Sequence, residues 1–147
     1  MKVFIENPSG VTLKKEFLDE LGEWKTIGHL AVPYPYPYGF VLSTAQEDGD
    51  PLDAFLITSE PSKINRGKVL EISVLGLVEY FEDEQRDYKI LVRKKEEEVA
   101  VSDEIKEKIK NFLLHAFDNR PEKKVKFGGF RSIEEANKEI ERCQLPD

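Results

Sequence analysis

Three aspartates stand within six positions of this sequence, Asp48, Asp50 and Asp53, in the stretch EDGDPLDAF (47–55). Carboxylates this close repel: each close pair costs roughly 1 kcal/mol in water and about 4 at intermediate screening. A divalent cation reverses the sign of that term, so the clustering makes chemical sense at a metal site. In an extended segment Asp48 and Asp50 point to one side. Asp53, an odd step further on, joins them only if Gly49 and Pro51 bend the chain, with Leu52 as the apolar anchor of the bend. An Asp-Gly turn with its acids left in water explains a lone DGD, but not three carboxylates gathered this tightly.

Other aspartate motifs fit worse. An EF-hand loop starting at Asp48 needs an oxygen ligand at its fifth residue and glycine at its sixth, where this chain has Leu52 and Asp53. Phosphatases with an aspartate nucleophile place their acids after an apolar strand, whereas here Ala54–Ile57 follows the acids. No His or Cys cluster suggests zinc.

The elements that must position the cluster are mostly strands. Residues 2–5 and 11–17 read as short strands, and Ala54–Thr58 as another. GKVLEISVLGLVEYF (67–81) is a long apolar strand with a bend or bulge expected at Gly76, and 87–93 is its hairpin partner. Helical periodicity comes late. Ile105, Ile109, Phe112, Leu113 and Ala116 recur at steps of three and four behind a Ser102 cap. Ser132 and Glu135 form a capping box ahead of Ile133, Ala136 and Ile140. Strands first and helices last predict an α+β, mostly β architecture, or a small barrel with helices outside. The run Lys94–Glu98 reads as a solvated turn.

The chain has 147 residues, enough for one domain over 1–147. Its net charge of −7 argues against a nucleic-acid binder. No run approaches a membrane span, and a single cysteine, Cys143, predicts a disulfide-free cytoplasmic protein. His29 and His115 read as structural.

With these features in view, the chain resembles the soluble inorganic pyrophosphatases of family I. DGDPLD (48–53) matches the family signature of aspartate, any small residue, aspartate, proline, an apolar residue and aspartate. IENPSG with the later KKE supplies Glu6, Lys14 and Glu16, and YPYPYGF (34–40) supplies Tyr34 and Tyr38. EDEQRDYK (82–89) resembles the acidic hairpin ending in Asp87 and Lys89, with Glu82 or Asp83 as its further acid. The resemblance implies a five-stranded OB-type barrel with flanking C-terminal helices. It implies Mg²⁺-dependent hydrolysis of pyrophosphate to two phosphates in a homo-oligomer. Asp48, Asp53 and Asp87 would hold Mg²⁺, with Glu6, Glu16 and Glu82 as further metal-side carboxylates. Asp50 would be the general base, and Lys14, Tyr34, Tyr38 and Lys89 would bind substrate.

Two departures thin the phosphate-binding half. Thr26, with Lys25 beside it, stands at the spacing of a family arginine, and lysine lacks the bidentate fork. Ala116-Phe117 stands where the family has Tyr-Lys, with Lys123, Lys124 and Lys126 nearby. A diverged hydrolase of another phosphoanhydride is therefore one alternative. An OB-type module stacking single strands on Tyr34, Tyr36 and Tyr38 is the other.

Overall fold

A computed structural model describes residues 1–146. Its strands are β1 (Lys2–Asn7), β2 (Leu13–Leu18), β3 (Glu23–His29), β4 (Tyr38–Val41), β5 (Asp53–Leu56), β6 (Val69–Glu82), β7 (Gln85–Arg86), β8 (Lys89–Lys94) and β9 (Val125–Arg131). Two helices, α1 (Asp103–His115) and α2 (Ile133–Cys143), flank β9 in sequence.

Strands β1, β4, β5, β8 and β6 follow one another by hydrogen bonding, and β6 pairs back onto β1, closing a five-stranded ring. This is the expected mostly β barrel with helices against it. One pairing in the ring, β5 with β8, is parallel, and the others are antiparallel. The 14-residue strand β6 serves the whole molecule, because β1, β8, β9 and β7 all pair along it. Its register with β8 shifts between Val74 and Gly76, where the sequence predicts a bulge. β2 and β3 form a separate hairpin over one side.

Strands β5 and β8 read as continuous apolar runs because both of their faces are buried. Ala54, Leu56, Ile90 and Val92 pack in one cluster with Ala136 and Ile140 of α2. Phe55 and Leu91 point the other way, to Ile109, Phe112 and Leu113 of α1. Both helices start as predicted: Ser102 accepts from the Ile105 N–H and Ser132 from the Glu135 N–H. Gly39 is required at its position, since a Cβ there would lie 1.8 Å from the Phe4 carbonyl oxygen. That contact lets β4 lie against β1 and carries Tyr38 into the barrel wall.

Four strands escape the sequence reading: β3, β4, the two-residue β7 and β9. Residues of β3 are mostly exposed, so no alternating pattern marks it. The run at 94–98 is a turn, but Glu97 is not simply solvated. Its carboxylate accepts from both the backbone N–H and the hydroxyl of Ser59, tying two loops together.

Candidate active site

An open cleft of about 620 Å³ is bounded by β1, β2, the loop before β5 and the β6–β7 hairpin. Eight carboxylate residues line it against four cationic ones. The loop 46–51 brings Asp48 and Asp50 there, and Asp53 follows at the start of β5. The Gly49 N–H donates to the Gln46 carbonyl at 2.9 Å, and the Gln46 N–H donates to the Asp50 carbonyl at 2.7 Å. Gly49 sits at φ +89°, a left-handed conformation that a side chain would strain. Asp48 Oδ1 accepts from the Asp50 N–H at 2.9 Å. This tight bend turns Asp48, Asp50 and Asp53 into one cleft, while Leu52 is buried beneath as the predicted anchor.

Glu6 comes from the end of β1, and Lys14 and Glu16 come from β2. Asn7, buried between these strands, fixes their relation. Its side chain donates to the Lys15 carbonyl and accepts from the Lys15 N–H. Sequence reasoning missed Asn7, because only the fold sets β1 against β2. Glu82 and Asp83 enter from the tip of the β6–β7 hairpin. There Asp83 and Glu84 take positive φ, as a two-residue hairpin loop demands. Asp87 follows, its N–H donating to the Tyr80 carbonyl at 2.9 Å.

Lys89 organises the cleft floor. It is 5% exposed. Its ammonium donates to Tyr38 Oη at 2.7 Å, Asp53 Oδ2 at 2.8 Å and Asp87 Oδ2 at 2.9 Å. Burial pulls its pKa down, but Asp53 and Asp87 outweigh burial and hold the pKa above the ordinary lysine range. Tyr38 is pushed well above the ordinary phenol range, chiefly by burial. Tyr34 lies one layer behind, its ring centroid 5.1 Å from that of Tyr38. It lines a smaller cavity of about 30 Å³ rather than the cleft.

The acids register their mutual repulsion. Glu6 is raised to about 7 by burial, then by Asp53 and Glu16. Asp50 is also raised, by partial burial and by Asp48 and Asp53, although much of its surface faces solvent.

Among the described residues, no three His, Cys, Asp or Glu side chains form a compact metal-binding group. Asp48, Asp53 and Asp87 share the cleft but do not close into a triad. Asp53 and Asp87 meet through the Lys89 ammonium, and Asp48 is turned onto its own loop. The donors still suit one hard cation. All are carboxylate oxygens, and Mg²⁺ binds through one or two carboxylates completed by water and substrate oxygens rather than in an all-protein cage.

The thinned half is visible too. From β3 only Ile27 lines the cleft, while Lys25 and Thr26 are exposed away from it. Ala116 and Phe117 line the smaller cavity together with Tyr34, Tyr38 and Lys89. Lys123 does reach the cleft. Its ammonium pairs with Glu82 and lies 5.0 Å from the Phe117 ring centroid. Tyr34, Tyr36 and Tyr38 are all nearly inaccessible, which removes the stacking platform that a single-strand binder requires. His29 and His115 lie outside the cleft, bonded to Thr12 and Asp118.

The inorganic pyrophosphatase family model matches residues 3–145. An inorganic pyrophosphatase of Nanoarchaeum equitans is 36% identical over 151 residues, covering 96% of this chain and 93% of its own. One from Sulfolobus acidocaldarius is 31% identical over 153 residues, covering 96% and 87%. The solved structure of the Thermus thermophilus inorganic pyrophosphatase superposes with a TM-score of 0.87 at 30% identity, covering 97% of this chain and 88% of that one. A match running nearly end to end, on a chain whose acids meet in one cleft, leaves one assignment: the chain belongs to the inorganic pyrophosphatase family.

Proposed function

We propose that this chain, acting as one domain over residues 1–147, hydrolyses inorganic pyrophosphate to two phosphates with Mg²⁺ as its cofactor. Family membership gives the activity and implies a divalent metal. The observation that carries the choice of site is the eight-carboxylate cleft, with Lys89 buried beneath it against Asp53 and Asp87. A highly anionic substrate enters such a cleft only with cations that answer the acids. Glu6 and Asp50, both raised first by burial and then by neighbouring carboxylates, mark where positive charge is wanted.

Asp48, Asp53 and Asp87, with Glu6, Glu16 and Glu82, would hold Mg²⁺. When bound, the metal neutralises pyrophosphate, lowers the pKa of water and aligns in-line attack. Asp50 is the residue proposed to take the proton from the attacking water. Its carboxyl is raised yet open to solvent, which suits a group that accepts a proton and returns it to bulk water. Lys14 stands at the cleft wall to donate to phosphate oxygens. Tyr38, which lines the cleft, and Lys89, buried beneath it, are the further proposed substrate donors. Lys89 would release one of its bonds to Tyr38, Asp53 or Asp87 to do so, with Tyr34 packed behind Tyr38 to fix its ring. A homo-oligomer belongs to the same proposal on the strength of the resemblance, and a cytoplasmic location on the single cysteine, Cys143.

Phosphate release from pyrophosphate, nucleoside triphosphates and polyphosphate, each with and without Mg²⁺, tests the reading. Release from pyrophosphate that requires Mg²⁺ supports it. Preference for a nucleotide or polyphosphate would turn the assignment to another phosphoanhydride.

A further inference from the structure

α2 carries a buried carboxylate that the chemistry above does not use. Glu139 is 4% exposed and does not itself line the cleft, although it bonds to Arg86, which does. Two guanidiniums share it. Arg86 of β7 bonds to its Oε2. Arg142, one turn on in α2, donates through Nη2 to Oε1 at 2.6 Å and through Nε to Oε2 at 3.4 Å. Arg86 is the residue before Asp87. Arg142 continues through Nη1 to Glu47, the residue before Asp48.

One buried carboxylate is thus linked to both segments that present the cleft's aspartates. The same end of α2 is also joined to the chain ahead of the loop. The Ala45 N–H donates to the Cys143 carbonyl at 2.8 Å, and the Leu145 N–H to the Ser43 carbonyl at 2.9 Å. Arg86 is steadied further by Tyr88, whose ring centroid lies 4.1 Å from the guanidinium carbon.

A buried carboxylate needs charged partners, and one bidentate arginine would satisfy it. Here it is divided between arginines from separate elements. The Arg142–Glu47 contact alone is a weak surface pair, since Glu47 is largely exposed. It gains leverage because Glu139 fixes the Arg142 guanidinium through two bonds.

We propose that Glu139 is a positioning residue that holds the Asp48–Asp53 loop and the Asp87 segment in relation to each other, and so sets the cleft's affinity for Mg²⁺. The proposal rests on the metal-assisted reading above. Ligands carried by two separate segments lose affinity when either drifts. A partner bonded directly to a ligand is typically worth about 10–100-fold, and a tie one residue removed from the ligands is worth less.

Glu139→Gln keeps the shape and removes the charge. Titration calorimetry of Mg²⁺ into the pyrophosphate-free protein is expected to show binding weakened, by up to about 10-fold. The Mg²⁺ concentration for half-maximal hydrolysis should rise in step, while kcat at saturating Mg²⁺ changes less. Arg142→Ala should shift both in the same direction, and Glu47→Gln added to Arg142→Ala should shift them no further. Glu139→Gln with a lowered Tm but wild-type Mg²⁺ affinity overturns the proposal and leaves Glu139 a structural ion pair. If Glu139→Gln does not fold, wild-type affinity in both Arg142→Ala and Glu47→Gln overturns it equally. A wild type that binds Mg²⁺ but releases no phosphate from pyrophosphate defeats the enzymatic reading alone, because calorimetry still reports the tie.

Discussion

Asp53 and Lys89 are register partners on the parallel strands β5 and β8, and their side chains meet at 2.8 Å beneath the cleft. The backbone pairing fixes which carboxylate the lysine finds. Asp87, two residues before Lys89, then closes on the same ammonium at 2.9 Å. Lys89 is therefore the resident countercharge of two acids proposed to hold metal.

Removing it should expose that balance. Lys89→Met leaves Asp53 and Asp87 without their shared cation, a loss of about 3–5 kcal/mol for a broken buried pair. The metal-free variant should melt at least about 6 °C below the wild type. Saturating Mg²⁺ should recover part of that loss, because the metal can replace the missing charge. Equal Mg²⁺ effects on both proteins in differential scanning fluorimetry would refute the shared role.

Asp50 is the proposed base. Asp50→Asn should lower turnover by about 10²–10⁴, the usual scale for losing a general base, and keep the Mg²⁺-induced rise in Tm. Steady-state kinetics beside melting curves separate the two effects. Wild-type turnover would remove Asp50 from the mechanism.

Glu6 gives a pH signature. Its pKa rises from 4.5 to about 7 on folding without metal, so the folded state binds the proton more tightly. That contribution is fully present below pH 4.5 and is lost as pH rises through about 7. In chelator, the wild type should lose Tm across this window relative to Glu6→Gln, which has no proton there to lose. Parallel pH profiles of the two proteins would contradict the assignment.

The thinned phosphate clamp predicts weak anion binding. Each missing charge-assisted hydrogen bond is worth about 1.5–3 kcal/mol. Ala116→Tyr with Phe117→Lys should lower the inhibition constant of phosphate as product. Lys123→Ala should raise it, since Lys123 is the cation that the turn before β9 delivers to the cleft. Tight phosphate binding in the wild type, unmoved by either change, would assign the clamp to other residues.

The Asp48–Asp53 loop was legible because its chemistry is contiguous: the bend at Gly49, the anchor at Leu52 and the three acids all lie within six residues. The helices were legible through period and caps. Relations between distant segments were not. Nothing local announces that Lys89 pairs in register with Asp53, or that Arg86 reaches Glu139 across the molecule. The aromatic run before β4 was read for its substrate-binding tyrosines, yet Tyr34 packs a layer behind the cleft. β9 carries no strand pattern of its own, because Gly128 and Gly129 interrupt it, and only pairing with β6 makes it a strand.

The most direct test of the central claim is phosphate release from pyrophosphate, titrated with Mg²⁺ in the wild type and in Asp53→Asn. No release is expected in chelator, with activity that rises and saturates with Mg²⁺ and a curve displaced to higher Mg²⁺ in Asp53→Asn. Release that is indifferent to chelation, or identical Mg²⁺ curves in the two proteins, would contradict it.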